Sequence, residues 1–293
     1  MNCRSAVTWP SVCLTVGLAL TPLLSGCVVG LGTGVNDSMP APTEAHNALD
    51  GLAPTDVWLL GEQHDAPAHQ ARQREVLSNL HASGKLAALV LEMAERGRTT
   101  QGLPSGASEA QVQEALRWPA SQAAGWEWAV YGPLVMLAVR ADVPVWGGNL
   151  PRAELRATMQ NSSLDQRLAP VAWQTQQSQI REGHCQLLPE TQVVPMTRVQ
   201  IARDLAMAQT IETTLKPGKT VLFVAGNQHV RRDLGVPQYL RAGLSSTVVL
   251  MASNGSEEAA QADATADRVW HTEAPPKRDH CADFKAQMKQ QLR

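Results

Sequence analysis

Residues 57–64 read Val57-Trp58-Leu59-Leu60-Gly61-Glu62-Gln63-His64, and residues 220–229 read Thr220-Val221-Leu222-Phe223-Val224-Ala225-Gly226-Asn227-Gln228-His229. Each is a short apolar run that ends in Gly, any residue, Gln and His. Such runs, near-continuous rather than alternating, suit strands of a parallel sheet covered on both faces. Working outward, Leu86–Leu91, Val143–Trp146 and Thr247–Met251 read the same way. Between them lie helical patterns over residues 66–83, 108–115, 122–140, 152–159, 196–215 and 230–242. Strand alternating with helix predicts an α/β domain, a mostly parallel open sheet with helices on both faces. Residues 160–195, polar and rich in Gln, read as a helical insertion or lid within it.

In an open parallel sheet, ligands gather beyond the carboxyl ends of the strands, where loops converge. There the sequence places Glu62 and His64 after the first strand, Glu92 after the second, Asn149 after the third and His229 after the fourth. Glycine permits the tight turn that leaves each His over the sheet edge. Two imidazoles and the Glu92 carboxylate can form a facial site for a divalent transition metal, His64, Glu92 and His229 being the ligands. Glu62 then serves as a general base or further ligand. The plainer alternative is that both His are hydrogen-bonded structural residues at loop starts.

Composition bounds the rest. The 293 residues carry 25 Lys and Arg against 27 Asp and Glu, with no basic run, which argues against a nucleic-acid partner or a polybasic membrane patch. Residues 1–26 hold one charged side chain, Arg4, followed by an apolar run from Val12 to Leu24 that is too short to span a bilayer. That is the shape of an export signal. It ends in Leu24-Ser25-Gly26-Cys27, which resembles a bacterial lipobox, making Cys27 the acylated residue and the membrane a partner through that anchor. Val28 in place of Asp leans toward the outer membrane, with a periplasmic or surface-exposed domain. Residues 27–50 form a flexible tether and residues 51–293 the α/β domain. Of five cysteines, Cys185 and Cys281 alone remain in that domain, which suggests a disulfide in an oxidising compartment. Both follow a His, so a paired metal site is the alternative.

Several of these stretches together resemble the ChaN family of haem-binding lipoproteins, within the superfamily of Tiki, TraB and erythromycin-esterase-like proteins. They are Leu60-Gly61-Glu62-Gln63-His64, Leu91-Glu92-Met93, Asn149-Leu150-Pro151-Arg152, His184-Cys185, Arg203-Asp204 with Met207-Ala208, and Ala225-Gly226-Asn227-Gln228-His229-Val230, across residues 55–285. The resemblance implies an α/β fold, a lipid anchor and haem or iron acquisition. It also implies a homodimer able to hold stacked haems through a Tyr ligand, and an outer-membrane haem receptor as partner. Tiki-like relatives imply a second reading, a metal-dependent hydrolase with His64, Glu92 and His229 at its centre.

Haem attachment here is non-covalent, because no Cys-x-x-Cys-His is present. Of two tyrosines, Tyr131 lies in the aromatic stretch Trp126-Glu127-Trp128-Ala129-Val130-Tyr131 and is favoured over Tyr239 as the axial phenolate. Arg152 and Arg203 suit haem propionates, since a guanidinium fork matches a carboxylate. His184 or His280 is a candidate second axial ligand. Against these stand bland readings: the Trp residues as core anchors, and Arg203-Asp204 as a local surface pair.

Overall fold

The computed structural model describes residues 54–118, 126–254, 265–276 and 279–291. The export signal, the acylation site at Cys27 and the tether lie outside the described residues. Strands β1 (Val57–Glu62), β2 (Leu86–Glu95), β3 (Val145–Asn149), β4 (Thr220–Gly226), β5 (Ser246–Ser253) and β6 (Arg268–Thr272) form one sheet in the order β3-β2-β4-β1-β5-β6. Every pairing is parallel. The chain is an α/β protein, as the alternating pattern predicts.

Around the sheet lie the helices α1 (Pro67–Ala82), α2 (Glu109–Leu116), α3 (Trp128–Arg140), α4 (Leu155–Gln160), α5 (Pro170–Gly183), α6 (Glu190–Thr214), α7 (Asn227–Val230) and α8 (His280–Gln291). Because strand side chains alternate between faces, the sheet builds two cores. Trp58, Leu60, Leu89, Leu91, Leu222 and Val224 pack with α1 and α3 on one face. Val57, Leu59, Val90, Val221 and Phe223 pack with Met207, Ala208 and Ile211 of α6 on the other. The 160–195 interval is helical: a short 3-10 turn at Ser162–Gln166, then α5 and the start of α6. Leu164, Leu168 and Ile201 form a third, smaller cluster there. Among the described residues, no helix is long and apolar enough to cross a membrane.

The structure departs from the sequence reading toward the C-terminus, where helix α8 is one addition and two further differences stand out. The helix expected over 230–242 is absent: α7 ends at Val230, and a 3-10 turn at Val236–Gln238 follows. Gly235 folds the chain back so closely that a Cβ there would lie 2.2 Å from the His229 carbonyl oxygen. The sixth strand, β6, does not stand out in the sequence because it is polar and half exposed, with Arg268 and His271 at the surface. Half-exposed edge strands lack the continuous apolar run that marks the other five.

Candidate functional site

The carboxyl ends of β1, β2 and β4, neighbours in the sheet, converge on one cluster. Glu62 is the last residue of β1 and lies level with Gly226, the last of β4. Gly61 must be glycine here, since a Cβ would meet Asn227 Oδ1 at 2.4 Å and Val230 Cγ2 at 2.5 Å. Glu92, in β2, accepts the Gly226 backbone N–H at 2.8 Å. It is held from behind as well, the Asn149 amide donating to its backbone carbonyl at 2.9 Å. Gly226 is less tightly constrained, a Cβ there falling 3.0 Å from His64 Nε2.

Around Glu62 the chain gathers four hydrogen bonds. Tyr131, brought in by α3, donates its hydroxyl to Oε1 at 2.6 Å, and His64 Nδ1 lies 2.8 Å from the same oxygen. Gln70 and Gln73 donate their amides to Oε2. These two sit on the buried face of α1 with His69. His69 Nδ1 accepts the Gln63 backbone N–H at 3.0 Å and so fixes the loop that carries His64. The first turns of α1 therefore bury polar groups because they wrap a carboxylate, and its later turns bury Val76, Leu77 and Leu80. Since Tyr131 spends its one proton on Glu62, His64 Nδ1 faces two oxygens, at 2.8 and 3.0 Å, and carries a proton. The lone pair of a neutral His64 then belongs to Nε2.

The second half of the cluster is drier. His229, on α7, places Nδ1 2.6 Å from Asp204 Oδ1 of α6 and Nε2 3.4 Å from Glu92 Oε1. Burial disfavours its charged form, but the two carboxylates outweigh that and raise its pKa to about 10. Burial likewise works to raise Glu92, yet His229, His64 and the Gly226 N–H hold it well below the usual carboxylate range. Asp204 moves the other way, raised chiefly by burial. His64 Nε2 stands 3.9 Å from Glu92 Oε2, linking the halves. Burial opposes protonation of His64, while hydrogen bonding to Glu62 and the charge of Glu92 raise its pKa on balance. Its side chain is 39% exposed against 8% for His229. The Trp126 ring stands edge-on beside it, centroids 6.2 Å apart.

Glu62, His64, Glu92, His229 and Tyr131, singled out from the sequence, thus meet in one place. They meet as a chain of hydrogen bonds and ion pairs. Among the described residues, no group of three or more His, Cys, Asp or Glu is disposed to hold a metal ion. Tyr131 is 1% exposed, and burial together with Glu62 keeps its phenol far above its ordinary pKa. That geometry suits a hydrogen-bond donor and disfavours a phenolate. Arg152 is exposed and donates its backbone N–H to Glu95. Arg203 reaches Gln200 at 3.4 Å, and His184 Nδ1 lies 2.7 Å from the Ile180 carbonyl oxygen. Arg152 and His184 make these contacts with residues outside the cluster, whereas Arg203 acts on Asp204 through its charge. Cys185 and Cys281 are joined by a disulfide.

The sequence reading missed Gln70 and Gln73, and it took Asp204 for part of a surface pair. Asp204 is 2% exposed. A signal existed: it stands in the buried stripe Ile201, Asp204, Ala208, Ile211, where a lone carboxylate needs a partner.

A family model described as haem-binding uptake, Tiki superfamily, ChaN matches residues 48–240, a span that contains every residue of the cluster. The chain belongs to the ChaN family. Among solved structures, ChaN of Campylobacter jejuni, described with cofacially bound haem, is similar at 21% identity and a TM-score of 0.59, covering 73% of this chain and 86% of that one. The type III effector HopBA1 aligns at 14% identity and a TM-score of 0.43, over 75% and 88% of the two chains. No curated protein matches significantly. The likeness to the Campylobacter ChaN is a likeness of fold.

Proposed function

We propose that this ChaN-family protein binds haem non-covalently, with His64 as the axial contact. One observation carries the assignment within the cluster: His64 combines a half-exposed ring with a second nitrogen held by a buried carboxylate. A carboxylate on Nδ1 fixes the ring and raises the basicity of Nε2, the usual arrangement behind a metal-bound imidazole. Haem bound there would supply an iron able to take that nitrogen. The Trp126 ring beside His64 offers an apolar wall for a flat macrocycle. Tyr131, Gln70 and Gln73 act through Glu62 and hold the imidazole in place. His229, clamped between Asp204 and Glu92, is spent on charge balance. The metal-dependent hydrolase reading of the same residues draws no support from their disposition.

Haem binding of this kind serves iron acquisition, from a chain exported and anchored by lipid on Cys27. The support is the N-terminal sequence, with its short apolar run and Leu24-Ser25-Gly26-Cys27. A homodimer, propionate contacts from Arg152 or Arg203 and a membrane receptor belong to the same reading. The test is a haemin titration followed by visible absorption. Wild type and Tyr131→Phe are expected to show a saturable Soret shift, and His64→Ala to lose it. Saturable binding by His64→Ala equal to wild type would remove His64 from the role, and loss in Tyr131→Phe alone would return the ligand to the phenol.

A further inference from the structure

The polar face of α1 carries more than Glu62 uses. His69 and Gln73 are both 0% exposed, and they stand four residues apart, so their side chains are neighbours on one face of the helix. Each makes one hydrogen bond that settles the character of its second polar atom. His69 Nδ1 accepts the Gln63 backbone N–H at 3.0 Å, so that nitrogen holds the lone pair. Burial keeps the pKa of His69 below its ordinary value, which leaves the ring neutral with its single proton on Nε2. Gln73 donates its amide N–H to Glu62 Oε2, so its other end is the carbonyl oxygen Oε1.

The two remaining atoms are therefore one donor, His69 Nε2–H, and one acceptor, Gln73 Oε1. Both are buried, and neither meets a protein partner among the described residues. Buried polar groups are almost always hydrogen-bonded, through ordered water where the protein offers nothing. A cation does not suit this pair, because Nε2 presents a proton. An anion suits it no better, because Oε1 presents lone pairs. A small neutral molecule that accepts at one point and donates at another satisfies both, and water is the smallest of that kind.

We infer that α1 binds one internal water between His69 Nε2–H and Gln73 Oε1, and that His69 is a positioning residue for His64. With that water the hydrogen bonds close a ring. It runs from the Gln63 N–H to His69, through the water to Gln73, on to Glu62, and from Glu62 to His64, the residue covalently next to Gln63. The loop after β1 is then gripped twice, by its backbone at Gln63 and by its imidazole at His64. Both grips lead back to the same face of α1, so the ring of His64 is oriented by a helix it does not belong to. The inference concerns the ligand-free chain and stands apart from the haem reading.

The test is nuclear magnetic resonance on the full chain labelled with nitrogen-15, without added ligand. Wild type is expected to show His69 with a bare Nδ1 and a protonated Nε2, and a rotating-frame Overhauser contact between that Nε2–H and water, opposite in sign to proton exchange. Gln73→Met keeps the length of the side chain and removes its amide, and should abolish the water contact while the His69 tautomer persists. His69→Phe should speed exchange of the Gln63 amide hydrogen at least tenfold and shift the ring nitrogen signals of His64, which it does not touch. His69→Asn retains an acceptor where Nδ1 stood and should restore both, still without the water contact. A wild-type His69 that is charged or carries its proton on Nδ1, or an Nε2–H that shows no water contact, would overturn the site. Unchanged Gln63 exchange and unchanged His64 signals in His69→Phe would overturn the positioning role. If His69→Phe does not fold, His69→Asn against wild type takes its place, and loss of Gln63 protection there together with unmoved His64 signals counts against that role.

Discussion

His64 and His229 close the same four-residue pattern, Gly-x-Gln-His, each at the end of a buried parallel strand, yet the fold puts them to different work. His64 stands in a loop between β1 and α1 with a half-exposed ring, tied to one carboxylate that three other donors also satisfy. His229 lies in α7, buried between two carboxylates from different elements, Asp204 of α6 and Glu92 of β2. The first is an imidazole presented outward on a rigid support. The second is an imidazolium that neutralises an interior. A repeated local motif sets where a side chain leaves the sheet, and the neighbours brought by distant helices decide its charge and reach.

The comparison can be broken most decisively at His229. His229→Ala takes from two buried carboxylates, Glu92 and Asp204, the imidazolium between them, and should cost about 3–5 kcal/mol in denaturant unfolding at neutral pH. His64→Ala, losing a half-exposed group, should cost under about 1 kcal/mol. Equal losses would erase the distinction. The pH dependence sharpens it. Because the folded-state pKa of His229 is raised from 6.5 to about 10, its contribution is complete below pH 6.5 and is lost as pH rises toward 10. At 1.36 kcal/mol per unit that loss amounts to roughly 5 kcal/mol. The raised pKa of His64 acts with the same sign, so the alkaline slope must persist in His64→Ala. A stability profile flat from pH 6.5 to 10 in that variant would refute a charged His229.

Smaller effects probe how the halves are joined. Gly61→Ala forces a Cβ against Asn227 and Val230, the first and last residues of α7, and should cost about 1–3 kcal/mol. No loss would mean that α7 is less tightly seated on β1 than the contacts require. Tyr131→Phe removes one of the four donors to Glu62 and should cost about 1–2 kcal/mol by denaturant unfolding. A cost near zero would show that the phenol is not needed to satisfy the carboxylate.

Much of this architecture was legible. The first five strands announce themselves through largely continuous apolar runs, because a strand covered on both faces has little polar side to show. The residues after them point to the site, since a parallel sheet gathers its strand ends at one edge. Less legible was anything that depends on what packs against that edge. Gln70 and Gln73 look like ordinary surface residues of a helix until α1 is laid over Glu62. Asp204 reads as the neighbour of Arg203, although its partner is a histidine 25 residues away. Tyr131 reads as a phenolate ligand within a Trp-rich stretch, whereas α3 turns it inward onto a carboxylate 69 residues distant.

Local chemistry in the sequence determined the strands, the glycine turns and the two histidines, because backbone sterics and apolar periodicity act over a few residues. Protonation state, burial and the choice of hydrogen-bond partner were decided by the tertiary structure alone. Those properties are set by the field and solvent exclusion at one point, and at this sheet edge the groups that create them come from β1, β2, α1, α3, α6 and α7 at once.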